Sequence, residues 1–82
     1  MKILFFGSLR EQLGTGELVL TLPDHVQTVS DLVSTLKQRG EHWQQGLGHG
    51  QFLCAINQVM SVENDRISDN DELALFPPVT GG

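Results

Sequence analysis

Gly81 and Gly82 close this 82-residue sequence, and the α-carboxylate of Gly82 is the group in it best placed to react. Glycine has no Cβ, so this pair makes the thinnest and conformationally freest rod a polypeptide can form. Pro77 and Pro78 stand just before it. Their rings fix φ and remove two backbone donors, which predicts that sheet pairing stops at Phe76. Residues 77–82 reach at most about 20 Å when fully extended. The residues alone leave two readings open, a slim stalk with a reactive tip or a frayed terminus.

Other side chains that could do chemistry are poorly arranged for it. Gly46-Leu47-Gly48-His49-Gly50 lacks the G-x-G-x-x-G spacing and any following Lys-Ser/Thr, so it reads as a loop and not as a phosphate cradle. His25, His42 and His49 have no ligand spacing and no second cysteine beside them, which argues against zinc. Cys54 lies inside an apolar run with no cation nearby in sequence, the setting of a small buried hydrophobe. Asp69, Asp71 and Glu72 fail the EF-hand spacing and read as a solvated turn. Trp43 reads as a lid on a helix. No catalytic dyad and no metal site emerges.

Composition narrows the class. The length suits one small domain with a single core, and 39% apolar residues are enough to build one. A single cysteine cannot form an internal bridge, and no secretory signal or membrane span is visible, so a cytoplasmic protein is expected. The net charge of −5 argues against nucleic acid and anionic membranes as partners and favours a protein with a basic rim.

The elements that must position the tail follow in order. Lys2–Phe6 is an apolar β run, internal to a sheet, with Leu4 and Phe6 on one face. Ser8-Leu9-Arg10-Glu11 has capping-box spacing and predicts a short helical turn up to Gly14. Residues 17–22 put Leu18, Leu20 and Leu22 on one face of a second strand, completing an open hairpin. Thr28-Val29-Ser30-Asp31 is a second cap signal. Val29, Leu32, Val33 and Leu36 follow it on one helical face, with Gly40 as the C′ residue. Residues 41–50 read as a polar connection with at most one helical turn. Phe52–Ile56, a short segment over residues 59–62 after an Asn57-Gln58 turn, and Glu72–Phe76 supply the remaining strands. The order is β-β-α-β-(β)-β, an α+β domain with one main helix on one face of a mixed sheet.

That order, the ending Phe76-Pro77-Pro78-Val79-Thr80-Gly81-Gly82, the opening Lys2-Ile3-Leu4-Phe5-Phe6-Gly7 with Arg10-Glu11 beyond it, and the central Ala55-Ile56-Asn57-Gln58 together resemble one family. They are similar to the small, sulfur-carrier subunits of molybdopterin synthase, which are ubiquitin-like β-grasp proteins. The resemblance spans the chain, and the heptapeptide tail is its specific part. It implies a β-grasp domain over residues 1–76 and a flexible sulfur-carrying tail over residues 77–82. It further implies that Gly82 becomes a glycyl-adenylate and then a thiocarboxylate (1-thioglycine), with ATP consumed on an E1-like activating enzyme and no cofactor bound permanently. The carrier would not be an enzyme on its own. Its tail, Pro77, Pro78, Val79, Thr80 and Gly81 included, would enter the large synthase subunit within a heterotetramer and deliver sulfur to a cyclic pyranopterin. By position, Phe6, Met60 and Phe76 match the family's docking residues, although ordinary core packing is the other explanation for apolar side chains there. Gly-Gly endings also occur in carriers for thiamine and for thiolated tRNA and in ubiquitin-like modifiers, which remain the alternatives.

Overall fold

In the computed structural model, which describes residues 1–48 and 52–78, eight elements follow the chain. They are β1 (Lys2–Phe5), α1 (Gly7–Leu13), β2 (Glu17–Val19), α2 (Val29–Lys37), α3 (Glu41–Gly48), β3 (Leu53–Ile56), β4 (Val59–Ser61) and β5 (Glu72–Phe76). The five strands form one sheet in the order β2-β1-β5-β3-β4. Strands β1 and β5 pair in parallel and every other pair is antiparallel. The mixed sheet is as expected, and the last strand in sequence is its centre. No helix among the described residues is long and apolar enough to cross a membrane.

Strand alternation decides which side is the core. Ile3 and Phe5 of β1, Leu73 and Leu75 of β5 and Cys54 of β3 all point to one face and are buried there. Val29, Leu32, Val33 and Leu36 of α2 join the same cluster, at the helical spacing that marked them in the sequence. The α2 cap forms as expected. The Asp31 N–H donates to Thr28 Oγ1 at 3.2 Å, and Asp31 Oδ2 accepts from the Gln27 and Thr28 amides at 3.0 and 3.1 Å.

Four local expectations are corrected. Helix α1 starts at Gly7 and is capped by Phe6 without a side-chain bond, so Ser8 is inside the helix and Ser8–Glu11 is not a capping box. Gly7 has φ of 58°, where glycine meets no steric penalty, and this lets β1 turn sharply into α1. Helix α2 ends on Gln38, whose N–H turns back to the Thr35 carbonyl, so Gly40 lies one residue beyond C′. Glu41–Gly48 of the polar connection is instead the two-turn helix α3, so α2 is one of three helices among the described residues. Strand β2 is shorter than its alternating pattern, ending at Val19.

The turns at the far end of the sheet are built from side chains. Asn57 and Gln58 both have positive φ, 50° and 69°, the conformation a two-residue hairpin between β3 and β4 demands. Asn57 Nδ2 donates to Asp71 Oδ1 at 2.8 Å, and its Oδ1 accepts from the Glu72 amide at 3.0 Å. Asp71 Oδ2 in turn accepts from the Ser68 amide at 2.8 Å. The acidic turn is thus tied to the hairpin by Asp71.

These bonds lower two carboxyl pKa values. The amides of Gln27 and Thr28 hold Asp31 below its usual 3.8. The Asn57 side chain and the Ser68 amide do the same for Asp71. A carboxyl whose folded pKa lies below its unfolded one stabilises the fold above the unfolded value, and that contribution is lost as pH falls through the folded one. Thermal unfolding followed from pH 7 to pH 2 is expected to hold level above about pH 4 and drop below it. Asp31→Asn and Asp71→Asn should each flatten that drop. Acid profiles identical to that of the unmodified chain would contradict the assignment.

Candidate docking face and tail exit

The face of the sheet opposite the helices carries the alternate strand residues. Its middle row, read across the register, is Leu4, Ala74, Ala55 and Met60. Short side chains occupy the centre and longer ones the ends. Phe76 and Leu53, directly paired, form the next row, with Phe6 beyond the end of β1 on the same side. Phe6 is 46% exposed, Met60 60% and Leu53 38%, while Phe76 is half-buried. Neither Phe6 nor Met60 packs in the core, and Phe76 lies outside the core cluster. Large apolar side chains gathered on one open face are the usual mark of a contact surface.

The tail leaves from the rim of this face. The Phe6 amide donates to the Leu75 carbonyl at 3.1 Å, so the end of β1 is held beside the end of β5. Pairing stops at Phe76, as the prolines predict. Pro77 then lies against Gly7: a Cβ built on Gly7 would sit 3.0 Å from Pro77 Cγ and 3.2 Å from Cδ. Pro77 and Pro78 are half-buried. Val79, Thr80, Gly81 and Gly82 lie outside the described residues, as does His49.

Arg10 borders the same region. Its side chain lies across Gly16, where a Cβ would come within 2.9 Å of Nε. An open cleft of about 500 Å³ beside it is lined by Leu4, Phe6, Arg10, Thr15 and Glu17. In the sequence Leu53 carries no signal of its own, and Arg10 stands out only within the family-like opening. Leu53 sits in an apolar run whose outward residues become identifiable only once the register with Phe76 is known.

The side chains considered for other chemistry fall elsewhere. Cys54 is buried on the core face, with Ser61 Oγ donating to its sulfur at 3.4 Å. Trp43 packs on the core edge-to-face with Phe5, centroids 5.6 Å apart, and under the Arg39 guanidinium. His25 and His42 are exposed. Among the described residues no group of three His, Cys, Asp or Glu side chains is placed to hold a metal ion.

Known proteins resemble this chain in sequence and in fold. The ThiS family profile matches residues 3–82. A molybdopterin synthase sulfur carrier subunit from Haemophilus influenzae is 37% identical over 82 residues, covering 100% of this chain and 99% of its own. Among solved structures, SAMP1 from Haloferax volcanii superposes with a TM-score of 0.76 at 25% identity, over 100% of this chain and 98% of its own. One chain of the complex of subunits 1 and 2 of molybdopterin-converting factor from Helicobacter pylori shares the fold. Its TM-score is 0.65 at 24% identity, covering 99% of this chain and 96% of its own.

Proposed function

The chain belongs to the ThiS family, and from that premise we propose that it is the sulfur-carrier subunit of a molybdopterin synthase. The observation that carries the reading is the joining of two features at one rim. The last strand ends at Phe76 on an open apolar face, and the chain passes directly into Pro77-Pro78 and the Gly-Gly end. Full-length similarity to a curated carrier subunit supports it.

The chemistry needs little from the chain itself. A carboxylate is a resonance-stabilised anion and resists attack, so Gly82 is first joined to AMP from ATP on an E1-like enzyme, releasing pyrophosphate. A sulfur donor then displaces AMP and leaves a thiocarboxylate. That soft anion is nucleophilic near neutral pH without a base beside it. In the large subunit its sulfur bonds to a side-chain carbon of the cyclic pyranopterin in place of an oxygen substituent. Water then cleaves the acyl C–S bond, returning Gly82 to a carboxylate and leaving the sulfur as part of the dithiolene. Charge that develops in these steps is stabilised by donors on the partners. The carrier's part is to present a thin, extended end.

Presentation requires a docking face. Ordering each tail residue costs about 1–2 kcal/mol of backbone entropy, which the stiff Pro77 and Pro78 reduce. Phe6, Met60 and Phe76 supply compensating apolar contact against the large subunit, while Val79, Thr80 and Gly81 enter the passage to its active site. Burying one such side chain contributes about 1.5–3 kcal/mol. Phe6→Glu is therefore expected to weaken binding of the large subunit at least ~10-fold and to slow molybdopterin formation in step. Its thermal unfolding should stay close to that of the unmodified chain, because Phe6 is already half in water. Unchanged affinity would place docking on another surface.

A further inference from the structure

We propose that Met60 is an oxidation-sensitive point on the docking face, where conversion of its thioether to the sulfoxide by a peroxide-class oxidant weakens capture by the large subunit. The proposal rests on the docking role assigned above to the open face.

The chain has three sulfur atoms, in Met1, Cys54 and Met60, and the fold treats them differently. Met1 is 7% exposed and Cys54 3%, both within the core. Met60 is 60% exposed. It stands on the edge strand β4, paired to Ala55 on one side only, and ends the row that runs Leu4, Ala74, Ala55. Val62, farther along the same side of the edge, is 63% exposed and does not cover it. An oxidant in solution therefore meets the Met60 sulfur well ahead of the other two.

The reaction balances without any group on the protein. The peroxide O–O bond breaks, one oxygen is transferred to sulfur and the other leaves as water. Sulfur gives up two electrons and the peroxide accepts them. The product is a strongly polar group on what was a flexible apolar side chain, and thiol-dependent reductases reverse the change. An apolar contact that must now bury an unpaired S=O group loses affinity, by about tenfold or more. Leucine would fill a similar volume with no oxidisable atom. The switch acts on the free carrier, which must leave one partner to be reloaded on another and then exposes this face to solvent.

The test uses the unloaded full chain, so that no thiocarboxylate competes for the oxidant. Hydrogen peroxide treatment followed by peptide mapping should place oxygen on Met60 before Met1 or Cys54. Calorimetric titration against the large subunit should then show about tenfold weaker binding, restored by methionine sulfoxide reductase, with the thermal midpoint little changed. Peroxide should leave the affinity of Met60→Leu at that variant's own untreated value, whatever the substitution itself does to docking. Equal affinity of the Met60-sulfoxide and untreated chains would overturn this inference and leave the docking reading intact. So would an equal loss in peroxide-treated Met60→Leu, which would point to another sulfur. Failure of the untreated chain to bind at all would overturn both.

Discussion

Appending one alanine after Gly82 is expected to abolish sulfur loading and to leave thermal unfolding unchanged. The added residue moves the terminal carboxylate by up to about 3.5 Å and puts a Cβ where the thinnest part of the chain must pass. An adenylating site that positions the reacting carboxylate for attack loses orders of magnitude in rate from misplacements smaller than that. The fold should not register the change, because the core cluster of the described residues contains nothing beyond Leu75. Loading is followed by mass spectrometry of the C-terminal peptide and stability by calorimetry. Full-rate loading of the extended chain would show that the Gly81-Gly82 end does not define the reacting group.

The second large effect separates two adjacent phenylalanines. Phe5→Ala should cost about 3–5 kcal/mol, the range for emptying a well-packed aromatic site. Phe5 is 1% exposed, sits edge-to-face with Trp43, and is held through its amide to the Gly16 carbonyl at 3.0 Å. Small domains have only about 5–15 kcal/mol in total, so the urea midpoint should fall by a large fraction. Phe6→Ala, one residue on and facing the other way, should cost less than about 1 kcal/mol in the same measurement and weaken docking instead. Comparable destabilisation by both substitutions would mean that the two faces of the sheet are wrongly assigned.

Much of the fold could be read before any coordinates. The Thr28–Asp31 cap and the helical spacing of Val29, Leu32, Val33 and Leu36 specify α2 locally, because cap and apolar face agree. Strands β1 and β5 stand out as dense apolar runs, since paired internal strands need little polar alternation. Helix α3 was hidden for a physical reason. Gly46 and Gly48 each weaken a helix by about 1 kcal/mol relative to alanine, and the tertiary contacts that outweigh this are not local. Leu47 is buried, Trp43 packs on Phe5, and Gly46 lets the helix approach Leu13 of α1 so closely that a Cβ would lie 3.0 Å from its Cδ2. The α1 cap was misread because Gly7, by taking a positive φ, starts the helix ahead of Ser8.

The candidate site was legible to the same degree and for related reasons. Phe6 and Phe76 flank Gly7 and Pro77, where strands visibly end, so their place at the rim follows from the punctuation. Met60 could be placed by family position alone. Leu53 depends on pairing across the sheet, and the packing of Arg10 over Gly16, unlike its place in the family-like opening, is not encoded in a local pattern.

The measurement that bears most directly on the central claim is the mass of the chain after incubation with an E1-like activating enzyme, ATP and a sulfur donor, with the C-terminal peptide fragmented. Fragmentation is essential, because replacing oxygen by sulfur at Gly82 and adding oxygen to Met60 change the intact mass almost equally. The account predicts one oxygen exchanged for sulfur at Gly82, dependent on ATP, and lost again when the large subunit and its pyranopterin are supplied. A Gly82 that stays a free carboxylate while the same enzyme loads a known carrier, or that is recovered joined to a lysine, would contradict it.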